Sequence, residues 1–147
     1  MRKVIVAPEF ANFPGDWHFS PGLDTGDFVF FSGTTGARPD LTVSMNPETQ
    51  FREAFGFLKD HLAQAGLSFC DIVEMTTYHV ELRKHLDTFI KVKDEFVTEP
   101  YPAWTAIGVS ELITQGTLVE IRVIAKRACA SPRSRRGERP LGSNRGI

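Results

Sequence analysis

Residues 116–125 read GTLVEIRVIA, and from Leu118 onward their side chains fall into two rows of different character. Successive side chains of a strand point to opposite faces of the sheet. One row is wholly apolar and is predicted to face the core: Val119, Ile121, Val123 and Ala125. The other row places Glu120 and Arg122 between Leu118 and Ile124. The segment therefore predicts a strand with one buried face and an acid and a base on the other.

Two interpretations of this charged pair are open. An exposed ion pair on the outer face of a sheet is common and contributes only about 0–1 kcal/mol to stability. Alternatively, the strand lines a ligand cleft and Glu120 takes part in chemistry there. The strand by itself does not decide between them.

Four further strands are predicted from β-branched and aromatic runs bounded by turn residues. They are residues 2–6, 27–33, 71–82 and 102–109, and the strand quoted above is counted as 117–126. Segments rich in proline and glycine separate them. Of these, NFPGDWHFSPG (12–22) and residues 34–46 are predicted to be loops.

Two helices complete the set. Asn46 is the expected N-cap of a helix that begins at Pro47 and ends before Gly66. Asp87 is the expected cap of a second helix over residues 88–98. The predicted core positions of the two helices are Phe51, Ala54, Phe55, Leu58, Leu62 and Ala65, and Phe89, Val92 and Phe96.

The order β-β-α-β-α-β-β predicts an α+β fold, with two helices on one face of a mainly antiparallel mixed sheet. The other face of such a sheet is left bare. Because it is expected to carry Phe28, Phe30 or Phe31, and Trp104, we predict that it packs against another subunit of a homo-oligomer.

Composition is that of one soluble domain of 147 residues, with 41% hydrophobic and 24% charged residues. Cys70 and Cys129 form no CxxC pair, so a disulfide framework is not expected and a reducing compartment fits. No apolar run approaches the ~20 residues of a membrane helix. The N-terminus does not match a signal peptide. A cytoplasmic protein without a membrane partner is therefore expected.

The last 20 residues, 128–147, differ from the rest: they hold five Arg and one Glu, for a net charge of +4. Residues 1–127 hold 12 basic and 17 acidic side chains, for a net charge of −5. We therefore expect one domain over 1–127 and a basic flexible tail over 128–147. Nucleic acid is an expected partner only through that tail, because an acidic domain offers no broad footprint for phosphates.

Motif searches are mostly negative. The four histidines, His18, His61, His79 and His85, form no HxH, HExxH or Cys/His cluster, so no metal site is predicted. SGTTG (32–36) is glycine-rich but lacks the lysine of a phosphate loop. There is no GxSxG nucleophile motif. No cofactor is expected.

Five segments of the sequence resemble a known protein family, which the motif searches above did not reveal. In chain order they are FSPG…GDFVFFSG, HLAQAGLSFCDIVEMTTYHVEL, HLDTFIKVKDEFV, PAWTAIGVSEL and LVEIRVIA. Their order and spacing resemble the Rid family (YjgF/YER057c/UK114), small proteins that hydrolyse reactive enamines and imines. The resemblance runs from about residue 3 to residue 127. It implies a chorismate-mutase-like fold and a homotrimer with three clefts between subunits.

The resemblance also implies which residues line the cleft. A serine–glycine pair at a strand end falls on Ser32 and Gly33, and a glutamate on the last strand falls on Glu120. The family's loop tyrosine falls on Phe19, which keeps the ring and loses the hydroxyl. The arginine that grips the substrate carboxylate falls on Trp104, which is a departure.

Trp104 changes what the cleft is expected to bind. An arginine fork holds a carboxylate with two charged hydrogen bonds, whereas indole offers one N–H and a flat apolar face. Either the ligand is larger, flatter or uncharged and stacks on Trp104, or another arginine such as Arg122 takes over. Arg122 also has a simpler interpretation, a salt bridge to Glu120 or to a neighbouring subunit. Trp104 also has a simpler interpretation, which is that it packs in the interface between subunits.

Three functions remain open. The first is a hydrolytic deaminase of enamines and imines with an altered range, such as an aminomuconate-like substrate. In it Glu120, between aliphatic neighbours, would have a raised pKa, hold water and transfer protons. Ser32 and the N–H groups near Gly33 would orient the substrate. The second is a non-catalytic trimeric protein that binds a planar small molecule. The third is an endoribonuclease.

Overall fold

The structure, a computed structural model, describes residues 1–127, and the predicted basic tail, 128–147, lies outside the described residues. Six strands form one sheet within that range: β1 (Lys3–Ile5), β2 (Gly22–Asp24), β3 (Phe28–Thr35), β4 (Ile72–Val80), β5 (Ala103–Val109) and β6 (Val119–Lys126). Three helices accompany them: α1 (Phe13–Trp17), α2 (Pro47–Gln64) and α3 (Leu82–Phe96). Single 3₁₀ turns lie at Pro8–Phe10 and Phe69–Asp71.

The sheet order is β1-β2-β3-β6-β4-β5. Every neighbouring pair is antiparallel except β4 and β5, which are parallel and are joined by α3. A parallel pair needs a crossover connection, and α3 supplies it. The predicted α+β class and its mainly antiparallel mixed sheet are confirmed.

β6 lies inside the sheet, between β3 and β4. Its inward side chains, Val119, Ile121, Val123 and Ala125, are at most 1% exposed, as the alternation predicted. They belong to the same buried core as the apolar residues of α2 and α3. The outward row, which includes Glu120 and Arg122, keeps contact with solvent.

Helix α2 follows its predicted signals closely. The Oδ1 of Asn46 accepts the Thr49 N–H at 3.0 Å, Pro47 occupies the first turn, and Gly66 has a φ of +70° just past the end. Phe51, Phe55 and the other predicted core positions of α2 are buried. A fully buried side chain of that size contributes about 1.5–3 kcal/mol, so packing on the sheet stabilises this helix.

Helix α3 begins at Leu82, six residues before the predicted start, and ends at Phe96. Asp87 therefore lies inside the helix, and its assignment as the cap is wrong. The residue before the helix, Glu81, has a φ of +53° and its side chain makes no capping hydrogen bond. Because α3 starts without a capping side chain, the usual N-terminal signal was absent from the sequence.

The N-terminal region contains two elements that were not predicted. Residues 13–17 form α1, and 22–24 form β2, which is the additional strand in the sheet. Each is too short to show a 3.6- or 2-residue apolar period. Strand β3 also continues to Thr35, past its predicted end at Gly33, through a break in its register with β6.

The sheet face opposite the helices exposes Phe28 and Phe30, which are 38% and 39% exposed. Phe31 is buried on the helix side, at 2%. Trp104 also differs from the prediction. It pairs in register with the buried Met75, so its side chain shares the helix-side face instead of the bare one.

Gln50 ties α2 to the loop that precedes β6. Its side chain is 1% exposed and accepts the Leu118 N–H at 2.6 Å. Its amide donates to the carbonyl oxygens of Ser44 and Gly116, both at 3.1 Å. One buried side chain therefore satisfies three backbone groups and fixes the loop between β5 and β6 on the core.

Gln50→Leu should lower the free energy of unfolding by about 1–3 kcal/mol, because it leaves the Leu118 N–H and two carbonyls without their partner. Urea denaturation of both proteins in the same buffer measures this difference. Gln64→Leu, the same exchange at an exposed position of α2, is the matched control and should change stability far less. Equal effects of the two substitutions would contradict this account of Gln50.

Candidate functional site

A cleft of about 240 Å³ lies between the N-terminal segment, the end of β3 and the loop before β6. Four aromatic residues line it: Phe10, Phe13, Trp17 and Phe19. Its polar lining includes Ser32, His61 and Glu120. The site is therefore a mainly apolar, aromatic pocket with a few polar groups, the composition usual for small-molecule sites.

Glu120 projects from β6, where it pairs with Thr35 of β3 and Tyr78 of β4. Its side chain is half-buried, and burial raises the pKa of this carboxyl above its usual value. The side chain crosses the Cα of Gly33, where an added β-carbon would overlap Oε1 and the two carbons behind it. Only glycine at position 33 leaves room for the carboxyl in this place.

Ser32 fastens the N-terminal loop to the sheet. The register between β3 and β6 shifts between Phe31 and Thr34, so Ser32 and Gly33 lie in an irregular step of the ladder. The hydroxyl of Ser32 donates to the Ser20 carbonyl at 2.8 Å, and its N–H donates to the Pro21 carbonyl at 2.9 Å. With its proton committed in this way, the hydroxyl can offer a ligand only an acceptor.

The aromatic wall is held by edge-to-face contacts that lead back to α2. Phe19 meets Phe13 at 6.4 Å between ring centroids, Phe13 meets Phe10 at 5.0 Å, and Phe10 meets Phe57 of α2 at 5.1 Å. Each such pair is worth about 0.5–1.5 kcal/mol beyond burial. Phe19 thus stands at the end of a chain of rings anchored in the core.

His61 also lines the cleft, and the sequence analysis did not select it. It is 5% exposed, and its Nδ1 accepts the Ala7 N–H at 3.0 Å. Burial lowers its pKa, while Glu9 acts weakly in the opposite direction. The sequence gives no signal for a functional role, because His61 is three residues after Leu58 and seven after Ala54, and the apolar stripe of α2 marks it as a core position.

Trp104 lies outside this cleft within the chain. Its indole N–H donates to the Thr77 hydroxyl at 2.9 Å, and the Lys93 ammonium lies 4.9 Å from its ring centroid. Together with Met75, Val97 and other residues it lines a second, smaller cavity of about 230 Å³ on the helix side. The indole N–H is therefore not available to a ligand in the cleft.

Thr77 links Trp104 to a buried histidine. The Thr77 hydroxyl oxygen, which accepts the indole N–H, also lies within hydrogen-bond distance of His79 Nε2, 2.7 Å away. His79 is 1% exposed, and burial lowers its pKa to about 4. Within residues 1–127 its Nδ1 has no hydrogen-bond partner. The neutral ring serves as a packing element against Phe89, at 4.6 Å.

Arg122 is exposed on the outer face of β6 and is not part of the cleft lining. In the described part of the chain it forms no ion pair with Glu120. Of the six residues selected from the sequence, the structure brings four together in one cleft: Phe19, Ser32, Gly33 and Glu120. It places Trp104 and Arg122 elsewhere on the same chain.

The described range contains no group of three or more His, Cys, Asp or Glu side chains placed to hold a metal ion. None of the helices in residues 1–127 combines the length and hydropathy needed to cross a bilayer.

Comparisons with known proteins agree on one family. The family model described as Endoribonuclease L-PSP matches residues 12–127. The RutC family protein YjgH of Escherichia coli (strain K12) is 39% identical over 109 residues, which are 74% of this chain and 82% of that protein. The matched family region contains Phe19, Ser32, Gly33, His61 and Glu120.

Solved structures show the same similarity. The structure of protein YjgH superposes with a TM-score of 0.79 and 34% identity, covering 85% of this chain and 95% of that one. The crystal structure of E. coli TdcF with bound serine has a TM-score of 0.76 and 28% identity, covering 86% of this chain and 99% of that one.

The raised pKa of Glu120 predicts a pH dependence of stability. The folded state keeps the Glu120 proton at pH values where the unfolded state has released it. The corresponding stability is present below the ordinary glutamate pKa and is lost as pH rises through the raised value. Glu120→Gln cannot titrate, so its stability relative to wild type should increase over that window and then level off.

Urea denaturation of both proteins from about pH 4 to about pH 8 tests this, since that range brackets ordinary and moderately raised carboxyl pKa values. Glu111→Gln, at an exposed position of the preceding loop, is the matched control. A difference between wild type and Glu120→Gln that stays constant with pH would contradict the assigned burial of this carboxyl.

Proposed function

This chain belongs to the endoribonuclease L-PSP family, also called the YjgF/YER057c/UK114 or Rid family, and from that membership we propose that it hydrolyses reactive enamines and imines. Family membership supports a deaminase or small-molecule-binding role in general. The observation that carries the more specific proposal is the half-buried carboxyl of Glu120, held against Gly33 in an aromatic cleft.

Hydrolysis of an imine adds water to the C=N carbon and then expels ammonia, leaving a carbonyl product. The attack is easier on the protonated iminium, and a carboxylate beside it stabilises that positive charge. Glu120 can accept a proton from the attacking water and later return one to the departing amine. Burial raises the pKa of this carboxyl above its usual value, which favours the protonated form that it needs in order to return a proton.

The cleft favours a large, flat ligand. Phe10, Phe13, Trp17 and Phe19 provide apolar surface. The position of the family arginine is occupied by Trp104, outside the cleft of its own chain. We propose an altered range that includes larger, flatter or uncharged substrates, among them aminomuconate-like compounds. TdcF, crystallised with bound serine, supports binding of a small amine-bearing molecule by this fold.

We also propose a homotrimer in which the bare sheet face is covered by neighbouring subunits. The exposed rings of Phe28 and Phe30 support it, because neighbouring exposed aromatics on a bare sheet face form an apolar patch of the kind that marks subunit interfaces. In such an assembly Trp104 and Arg122 of one chain would have the opportunity to approach the cleft of another.

A non-catalytic binding protein is the second candidate. The observation that favours it is the lack of any lysine or arginine among the cleft-lining residues of 1–127. The same observation argues against the endoribonuclease activity in the family's description, since RNA phosphates need cationic partners. A binding role for RNA would therefore depend on the basic residues of 128–147.

The test of the deaminase proposal is direct hydrolysis of imines made in place, carboxylate-bearing ones by an amino-acid oxidase and uncharged ones by a flavin-dependent amine oxidase, with semicarbazide trapping the imine that remains. Wild type should accelerate the loss of imine, most for aromatic side chains. Glu120→Gln should lower the rate by at least ~100-fold, the usual contribution of a general acid–base group. Glu95→Gln, on the far side of α3, should leave the rate unchanged.

A second pair of variants tests the placement of the carboxyl without removing it. Gly33→Ala should lower the rate as Glu120→Gln does, because the new methyl occupies the carboxyl's space. Gly56→Ala in α2 meets no atom within 4 Å and should be fully active. If the protein binds product analogues tightly but hydrolyses no imine, the binding-protein proposal is favoured over the deaminase proposal.

The trimer proposal predicts a solution mass of three chains, measured by light scattering after gel filtration. Phe30→Glu should shift it to one chain, because it buries a charge in the proposed interface. Met45→Glu, at an exposed apolar residue outside the sheet, is the control and should leave the mass unchanged. A wild-type monomer would end this proposal.

A further inference from the structure

The cleft is lined by only two ionisable side chains within residues 1–127, Glu120 and His61. Arg38, next to the cleft residue Ala37, is held by Glu53 at 2.9 Å and by Thr42 at 3.3 Å. The cleft therefore presents an acid and an imidazole, and the nearest arginine in sequence is already engaged.

The donors of the cleft differ in how firmly they are held. The Ser32 hydroxyl donates to the Ser20 carbonyl. The Thr35 oxygen accepts the Ala37 N–H at 3.1 Å, which leaves its hydroxyl proton able to rotate. His61 differs from both, because the position of its donor is fixed. Because its Nδ1 accepts the Ala7 N–H, the proton of the neutral ring lies on Nε2. Nε2 is the one nitrogen that this ring can offer to a ligand, and it is a donor.

The structure holds this donor in a fixed state. His61 is 5% exposed, its ring lies 5.3 Å from that of Phe10, and Ala7, which donates to Nδ1, is itself fully buried. Burial lowers the pKa of the ring, so it stays neutral and keeps one tautomer. A buried imidazole with a single determined tautomer is preorganised to donate one hydrogen bond.

We propose that His61 Nε2–H binds the acceptor atom of the ligand and thereby selects an uncharged acceptor, such as a carbonyl or amide oxygen, over a carboxylate. The class of ligand is an aromatic or large apolar imine or enamine that carries no negative charge, which narrows the proposed range and leaves out aminomuconate itself, a dicarboxylate. This assignment rests on the proposed function for the reaction, although the selectivity for binding does not require turnover.

The physical reason is the cost of burying an unpaired charge. A carboxylate in the cleft would lose its water beside Glu120, with Glu9 close enough to act on His61 and no lysine or arginine among the lining residues of 1–127 to compensate. A neutral oxygen needs only one donor, which His61 supplies. The aromatic walls then cover the apolar body of the ligand, and Glu120 faces its nitrogen.

The test uses two non-reactive probes of equal shape, phenylacetamide and phenylacetate, titrated by calorimetry at neutral pH. Wild type should bind the amide at least ~10-fold more tightly than the carboxylate. His61→Asn keeps an oxygen for the Ala7 N–H and loses the group at Nε2. It should weaken amide binding by about 5–10-fold, the value of one neutral hydrogen bond.

His61→Gln, which restores an N–H near the Nε2 position, should recover part of that loss, and this separates a ligand contact from a defect in folding. His85→Asn, at a histidine outside the cleft, is the matched control. The inference is overturned if phenylacetate binds as tightly as the amide, if the amide shows no binding up to its solubility limit, or if folded His61→Asn binds it normally.

The two proposals fail in different ways. If imine hydrolysis needs Glu120 but both probes bind equally, the deaminase proposal stands and the proposed role of His61 is wrong. If amide selectivity depends on His61 but no imine is hydrolysed, the role of His61 stands and the protein is a binding protein.

Discussion

The carboxyl of Glu120 lies in the space that a side chain at position 33 would fill, and the arrangement of the site depends on that single steric constraint. Strand β6 is fixed in the sheet by its buried row, so Glu120 has to point outward. The irregular step in β3 brings Gly33 beneath it. A rigid sheet and one missing β-carbon thus place an acid in a cleft and remove it partly from water.

Both rims of the cleft are anchored in α2. On one side, rings lead from Phe19 through Phe10 to Phe57, and Ser32 holds the same loop by two hydrogen bonds. On the other side, Gln50 holds the loop that carries Ile113 and Thr114. The helix that the sequence predicts most clearly is therefore also the support for the least regular parts of the molecule.

Prediction from sequence succeeded where one element carries enough signal by itself. The period-2 row of β6 and the cap and stripe of α2 are of this kind. It failed where tertiary contacts decide: β2 has three residues, and α3 starts from a left-handed Glu81 without a side-chain cap. In the site, Ser32, Gly33 and Phe19 were selected by family resemblance alone, whereas Glu120 was selected first by its place in the outward row of β6 and then by the resemblance. His61 was missed because a histidine within an apolar stripe resembles a core residue until its neighbours are known.

The contacts of Trp104 join β5 to both β4 and α3. Thr77 is shared between the indole N–H and His79, and the ammonium of Lys93 lies over the indole ring. A lone exchange of Trp104 for arginine would bring a second cation close to Lys93 and remove the ring that its ammonium now contacts. Position 104 is therefore energetically coupled to positions 77 and 93, and the effects of substitutions at these three positions are expected to be non-additive.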